Sequence, residues 1–572
     1  MNNLKYVIKR QKNKVGLIYR YYLNNNNQTV ARYAKYYQEL DIKKNSILFE
    51  SRDGKSFADN PLAIYLNLLA RSDFKNYQFY WTYTQDCKDD IELLPQDERV
   101  KFVRRNSDEY LQCLTSCQYL INNSTFQAFY TKKEGQIYIN TWHGIPLKQM
   151  GLDMPDNSFG EKNVMRNLLM SDYFLSPNSY TTNIFRRAYK LDGLYEGKII
   201  ENGYPRVDLT TSSQFDVEPL LTKYNVKIDK TKQIILYTPT WKGSRFDNPR
   251  TSINKLIAEI KYLEQELGSN YQILCKVHPF TYKQIAETGL LNGYLIPDTM
   301  DANQLLSLVD VLVTDYSSIF FDYLVTEKPI IFYCWDKELY KEERGLYIEE
   351  QKLPGPVVET IFDVSAQIKR LDEVKSVYSH NYAIMKEKMC SLQTGQVTQR
   401  LVDKLFLGKD DVQIVTVPQK EKILIYGGAL KVNGITEALM SLLSNIDKDK
   451  YDITILVNPQ TNKHKEEQDY ILKNINYLRR KFRVIFKFGS PIYTLKERFA
   501  DLQSFRVTHE ELNYPINAYK REAKRLTACC HFDVAIDYSG YSYYWAKLIA
   551  FANANKHLII NIMICMKNNI KK

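Results

Sequence analysis

The chain has 572 residues, 44% of them hydrophobic, and a formal net charge of +12. That length exceeds what one hydrophobic core supports, and that apolar content excludes a disordered chain. No apolar run approaches the roughly 20 residues of a membrane span, and residues 1–25 lack the apolar stretch and cleavage site of a secretory signal.

The chain opens on a basic segment, assigned to residues 1–44. Lys5, Lys9, Arg10, Lys12, Lys14 and Arg20 stand in a stretch without Asp or Glu, while Leu4, Ile8, Val15, Ile18 and Tyr22 recur at roughly helical spacing. A basic helix with one apolar edge suits an anionic membrane surface. The expectation is therefore a peripheral protein on the cytoplasmic face of the cell membrane. A solvated helix packed on the body of the protein is the plainer alternative.

From about residue 45 strand-like and helix-like segments alternate, which predicts α/β architecture with parallel sheets. A first unit, 45–215, takes strands at Ser46–Glu50, Tyr77–Tyr83, Tyr119–Asn122, Gln136–Thr141, Tyr173–Leu175 and Lys198–Glu201, with a helix at Asn60–Ala70 whose first turn holds Pro61. A second unit, 216–407, takes strands at Gln233–Thr238, Gln272–Val277, Val311–Thr314 and Pro329–Tyr333, with helices at Ala302–Val309 and Asp315–Leu324. Residues 408–421 read as a linker. A third unit, 422–572, takes strands at Lys422–Tyr426, Asp452–Val457, Val534–Asp537 and His557–Ile562, with Gly427 and Gly428 in a tight turn after the first. The nine cysteines form neither a metal set nor a disulfide pattern; Cys113 and Cys117 are spaced to share a helix face, but no His or second pair completes a site.

In open α/β sheets ligands gather at the carboxyl ends of strands, and four clusters sit there. In Trp142-His143-Gly144 the glycine leaves an imidazole on an open turn, suited to taking a proton from a hydroxyl; a hydrogen-bonded structural histidine is the bland alternative. Thr238-Pro239-Thr240-Trp241-Lys242-Gly243 supplies hydroxyls and a cation. Lys276 and His278, two apart at the end of a strand, are expected to point to one side. In Thr314-Asp315-Tyr316-Ser317-Ser318 a strand runs into hydroxyl residues that open a helix, a setting that favours an anion; an ordinary cap is the alternative.

In order along the chain, these clusters resemble the CDP-glycerol:poly(glycerophosphate) glycerophosphotransferase family of teichoic acid synthesis. Phe49-Glu50-Ser51 with Gly54, Asp59-Asn60-Pro61, Ser176-Pro177-Asn178-Ser179 and Gly203-Tyr204-Pro205-Arg206-Val207-Asp208 belong to the same likeness, which covers roughly residues 45–405. The resemblance implies a GT-B fold, two Rossmann-like domains facing a cleft, and transfer of a polyol phosphate from CDP-glycerol or CDP-ribitol to a lipid-linked or polymeric acceptor with release of CMP. It implies His143 as base on the acceptor hydroxyl and His278 against donor phosphate. Lys242, Lys276, Thr314, Ser317 and Ser318 would bind that phosphate, with Trp142, Gly144, Thr240 and Asp315 in the cleft. Lys276 stands where several relatives would carry Arg, which keeps the charge but not the bidentate fork. No metal or other cofactor is implied. Residues 420–562 look like the amino-terminal half of a GT-B glycosyltransferase, added as a partial domain.

The rival enzyme is a nucleotide-sugar glycosyltransferase or epimerase on the same fold, acting on a cell-surface polysaccharide in the first case. The rival from another class is a non-catalytic binder of anionic polymer. No nucleic-acid-binding motif accompanies the basic charge. A homo-oligomer is compatible with the sequence.

Overall fold

The computed structural model describes residues 23–154, 161–212, 217–240, 253–337, 345–409, 412–458, 465–504 and 514–560. The basic amphipathic stretch ending at Tyr22 lies outside these residues. Among the described residues no helix is long and apolar enough to cross a membrane.

The first sheet is built from β1 (Lys43–Glu50), β2 (Gln78–Tyr83), β3 (Val100–Arg104), β4 (Cys117–Asn122), β5 (Ile137–Asn140), β6 (Tyr173–Ser176) and β7 (Lys198–Glu201), all parallel. The second takes β8 (Gln233–Thr238), β9 (Tyr271–Cys275), β10 (Val311–Thr314), β11 (Ile330–Tyr333) and β12 (Val357–Val358), parallel in the order β12-β11-β10-β8-β9. Such strands read as unbroken apolar runs because both faces are covered. In β1, Leu48 faces one core, with Leu120, Tyr138 and Phe174, while Ile47 and Phe49 face the other, with Ile121, Ile139 and Leu175.

Three expectations are corrected. The supposed linker contributes β13 (Gln413–Val415), which adds to the edge of the first sheet antiparallel to β7, so that sheet has eight strands. This three-residue strand is too short to show a period of its own. Helix Val397–Leu407, assigned to the second unit, crosses back, and Leu401, Val402 and Leu405 pack among Ile47, Phe49 and Leu68 of the first. Cys113 lies in helix Asp108–Ser116 but Cys117 begins β4, so they do not share a helix face.

The third sheet, in the order β16-β15-β14-β17-β18, is also parallel: β14 (Glu421–Tyr426), β15 (Tyr451–Val457), β16 (Arg483–Phe486), β17 (Phe532–Asp537) and β18 (Ala554–Ile559). It is not a separate body. Leu424, Leu456, Phe532 and Ala535 share one continuous core with Tyr130, Leu191 and Tyr195 of the first unit. Arg525, fully buried, pairs with Glu522 and donates to the Ala128 carbonyl of the first unit at 2.8 Å.

Candidate active site

The loop after β5 is held from below. Asn140 Oδ1 accepts the Trp142 amide at 3.0 Å, and Asn60 Nδ2 donates to the carbonyls of Thr141 and Trp142 at 3.2 and 3.1 Å. Trp142 is turned into the left-handed region, at φ 50°, and buries its indole edge-on to Phe185. A bulky residue adopts that conformation only when its surroundings force it. The effect is to lay the His143 ring on the Trp142 ring, with centroids 4.3 Å apart.

His143 Nδ1 lies 2.6 Å from the Asn123 carbonyl. A carbonyl only accepts, so Nδ1 carries the hydrogen and Nε2 keeps its lone pair. His143 is exposed to solvent, yet neighbouring protein atoms crowd its ring. That burial lowers the imidazole pKa against the opposing pull of the Asn123 carbonyl, and Arg206 and Arg52 lower it further. The ring is therefore neutral near pH 7 with a free basic nitrogen.

The two lobes meet beside this ring. A Cβ on Gly144 would lie 3.0 Å from Ser318 Oγ. Arg206, buried, donates to the His143 carbonyl at 2.7 Å and to Asp59 at 3.0 Å, and reaches across to Asp322 of the second lobe at 2.7 Å. Burial pushes the Asp322 carboxyl up to about 6, against the Arg206 charge. Arg52 donates to the Asp298 carbonyl at 2.8 Å, a second bridge between lobes.

On the second lobe, Asp315 accepts the Thr240 amide through both oxygens, at 3.0 and 3.1 Å, and the Thr240 hydroxyl at 3.1 Å. Thr314 donates to the Thr238 carbonyl at 3.1 Å. These three residues fasten the ends of β8 and β10 together. The expected helix from Asp315 begins only at Ile319, because Asp315 spends its carboxylate on Thr240 and residues 315–318 form an open turn. Ser317 Oγ accepts the Ile319 amide at 3.3 Å, and Ser317 and Ser318 are half-buried.

Strand β9 stops at Cys275, one residue short of Lys276. The Lys276 ammonium donates to the Pro297 carbonyl at 2.7 Å; burial first, and Arg52 second, lower its pKa to about 7. His278 is exposed at the start of helix Pro279–Thr288, its carbonyl taking the Thr281 hydroxyl at 2.9 Å. Lys242 lies outside the described residues. The described contacts thus bring together His143, Gly144, Ser318 and, through Arg52, Lys276.

Sequence reasoning gave no role to Arg206, though it quoted the residue within a motif. It missed the strap at residues 345–348. There Lys148 and Leu346 form an antiparallel bridge, the Tyr347 amide donates to the Leu147 carbonyl at 2.9 Å, and the Gln149 amide donates to Gly345 at 3.2 Å. This strap and Leu147 close over a cavity of about 710 Å³ that also takes in Asp315, Tyr316, Phe332 and Lys337.

The family model described as CDP-glycerol:poly(glycerophosphate) glycerophosphotransferase matches residues 32–407. The chain belongs to this family. The family region holds the second sheet, the first sheet apart from β13, helix Val397–Leu407 and every site residue above. A teichoic acid poly(glycerol phosphate) polymerase of Staphylococcus epidermidis is 31% identical over 377 residues, covering 64% of this chain and 51% of that protein. The match therefore spans about half the length of that relative. A teichoic acid glycerol-phosphate transferase of Staphylococcus aureus is 33% identical over 378 residues, covering 64% of this chain and 93% of that protein. The solved structure of the wall teichoic acid polymerase TagF, as a histidine-to-asparagine variant soaked with CDPG, aligns with a TM-score of 0.58 and 30% identity, covering 70% of this chain and 96% of that one.

Proposed function

We propose that the chain transfers glycerol phosphate from CDP-glycerol to the terminal hydroxyl of a polyol-phosphate or lipid-linked acceptor, releasing CMP. The observation that carries this is the approach of Gly144, the residue after the neutral imidazole, to Ser318 of the opposite lobe. The acceptor hydroxyl oxygen attacks the β-phosphorus, and the bond from that phosphorus to the bridging oxygen breaks. CMP leaves with the bonding pair, and the hydroxyl proton passes to His143 Nε2. The base contributes about 10²–10⁴-fold. Ser317, Ser318 and His278 hold the diphosphate, and Lys242 is assigned there from the sequence. Lys276 acts through its charge beside Arg52. Thr240, Thr314 and Asp315 keep the strand ends in place, and Trp142 sets the ring. Positioning and charge stabilisation account for most of the remaining catalysis.

The names of the relatives support glycerol phosphate as the transferred group. Two facing lobes with a helix crossing back support the GT-B description, and the third sheet suits the amino-terminal half of such a fold. The basic segment before Leu23 supports peripheral attachment to an anionic membrane on its cytoplasmic face. The test supplies CDP-glycerol, CDP-ribitol and UDP-sugars in turn with a lipid-linked acceptor, and follows release of CMP from the first two and of UDP from the last. CMP from CDP-glycerol that depends on His143 upholds the reading, and turnover of UDP-sugars alone overturns it.

A further inference from the structure

A second concave site lies at the seam between the first unit and the third sheet, a cavity of about 420 Å³. Seven cations line it against two carboxylates, Asp192 and Asp452. The three arginines are engaged: Arg186 with Asp192, Arg187 with Asp153 and Arg483 with Asp452. The four lysines meet neutral groups. Lys190 donates to the Arg480 carbonyl, Lys420 to the Lys448 carbonyl and Lys481 to the Tyr477 hydroxyl, and Lys448 stands over the Phe482 ring.

The seam is built, not incidental. Arg483, buried, donates to the carbonyls of Lys190 and Asp192, and Gly193 bridges to Gln419 and donates to the Pro418 carbonyl. A Cβ on Gly193 would come within 2.6 Å of Asp452, so the backbone there is pressed against the third sheet. Both walls are thus fixed, and the exposed ammoniums of Lys420, Lys448 and Lys481 stand on their rims. Burial, then Arg483, lower the Lys190 pKa to about 8, against the pull of Asp452.

The geometry points to this groove as a binding site for a polyanionic phosphodiester chain, separate from the site of transfer. A single phosphate would need fewer cations. A membrane surface would call for apolar side chains at the rim, whereas Phe482 and Ile453, which line the groove, are buried. The groove is also joined to the transfer site. Helix Ser179–Ala188 carries Arg186 and Arg187 at its last turn, and near its start Tyr180 donates to the Pro146 carbonyl in the loop after His143. At about 1.5 Å per residue the two ends of that contact are roughly 10 Å apart along the axis. A polymer held in the groove would keep its growing end near the transfer site. The choice of a polyol-phosphate chain as occupant rests on the proposed function; the excess of positive charge does not.

The test uses the full chain and a labelled poly(glycerol phosphate) oligomer, read by fluorescence anisotropy at several salt concentrations. The wild type should bind with an affinity that falls steeply with salt, and Lys420→Glu/Lys448→Glu/Lys481→Glu should bind about tenfold more weakly or worse. These lysines are exposed, and an unchanged melting temperature checks that the variant folds. CMP release with a short acceptor should be unaffected. Equal affinity of variant and wild type overturns the proposal. So does a variant that loses binding to phosphatidylglycerol vesicles while keeping the oligomer. Failure to release CMP from CDP-glycerol would refute the proposed function yet leave the binding comparison intact.

Discussion

Gly144 of the first lobe and Ser318 of the second stand so close that a single added carbon would lie 3.0 Å from the serine hydroxyl oxygen. A methyl group there forces the Ser318 side chain to give by a few tenths of an ångström, on a backbone at φ 155° that strains any residue with a Cβ. Gly144→Ala should therefore move Ser318 away from the imidazole and reduce CMP release by about tenfold or more, since misplacement of about 1 Å costs up to 10²-fold. Melting temperature should change little by comparison. Steady-state rates on CDP-glycerol, with thermal unfolding in parallel, check this.

His143→Ala should reduce turnover by about 10²–10⁴-fold and leave the fold intact, because the ring is partly exposed and its one described hydrogen bond is to the Asn123 carbonyl. Single-turnover CMP release against circular dichroism decides the matter. Unchanged turnover removes this histidine from the mechanism.

The pH–rate profile carries the same residue's signature. Burial lowers its pKa below the ordinary 6.5. A base acts only when unprotonated, so the acid limb of kcat/KM, which reports the free enzyme, should fall below pH 6.5 and the rate should be level on the neutral side. An acid limb centred above pH 7 would assign the base elsewhere.

Arg206 clamps the lobes through a buried charge cluster. Asp322→Ala leaves that guanidinium with Asp59 and the His143 carbonyl and should cost about 3 kcal/mol, near the low end for breaking a buried pair. Asp322→Asn tests the titration. The native carboxyl rises from 3.8 to about 6, so the folded chain holds more protons than the unfolded one between those values. Its contribution to stability is present at low pH and declines as pH rises through that window. Asparagine does not titrate. Relative to wild type, the variant should gain melting temperature as pH is raised from about 4 to 6.

Removing residues 422–572 should not yield a clean two-unit protein. Tyr130, Leu191 and Tyr195 would lose the cover given by Phe532 and Ala535. Unfolding of the intact chain should accordingly couple the first and third sheets, which calorimetry of the full protein and of the truncated one compares. A truncated chain as stable as the parent contradicts the shared core.

What was legible in the sequence was local. The strand ends at Asn140, Thr238 and Thr314 could be found because buried parallel strands are apolar runs that stop at polar residues. His143 stood out because glycine follows it. What escaped depends on distant partners. Asp315 looked like the start of a helix until Thr240, 75 residues away, claimed its carboxylate. The strap pairing Lys148 with Leu346 leaves no periodic trace at either end. Helix Val397–Leu407 has an apolar face that suits either lobe, and only the packing of Leu401 and Val402 assigns it.

That returning helix has a mechanical outcome. The polypeptide leaves the first lobe after helix Pro205–Thr211 and returns to it through helix Val397–Leu407. Thr211 and Gly395 lie close together, so these two tethers define an axle, and a swing of the halves about that line must first break the Arg206–Asp322 clamp. Any opening that admits a nucleotide would then be a rotation, with the residues farthest from the tethers travelling the greatest distance.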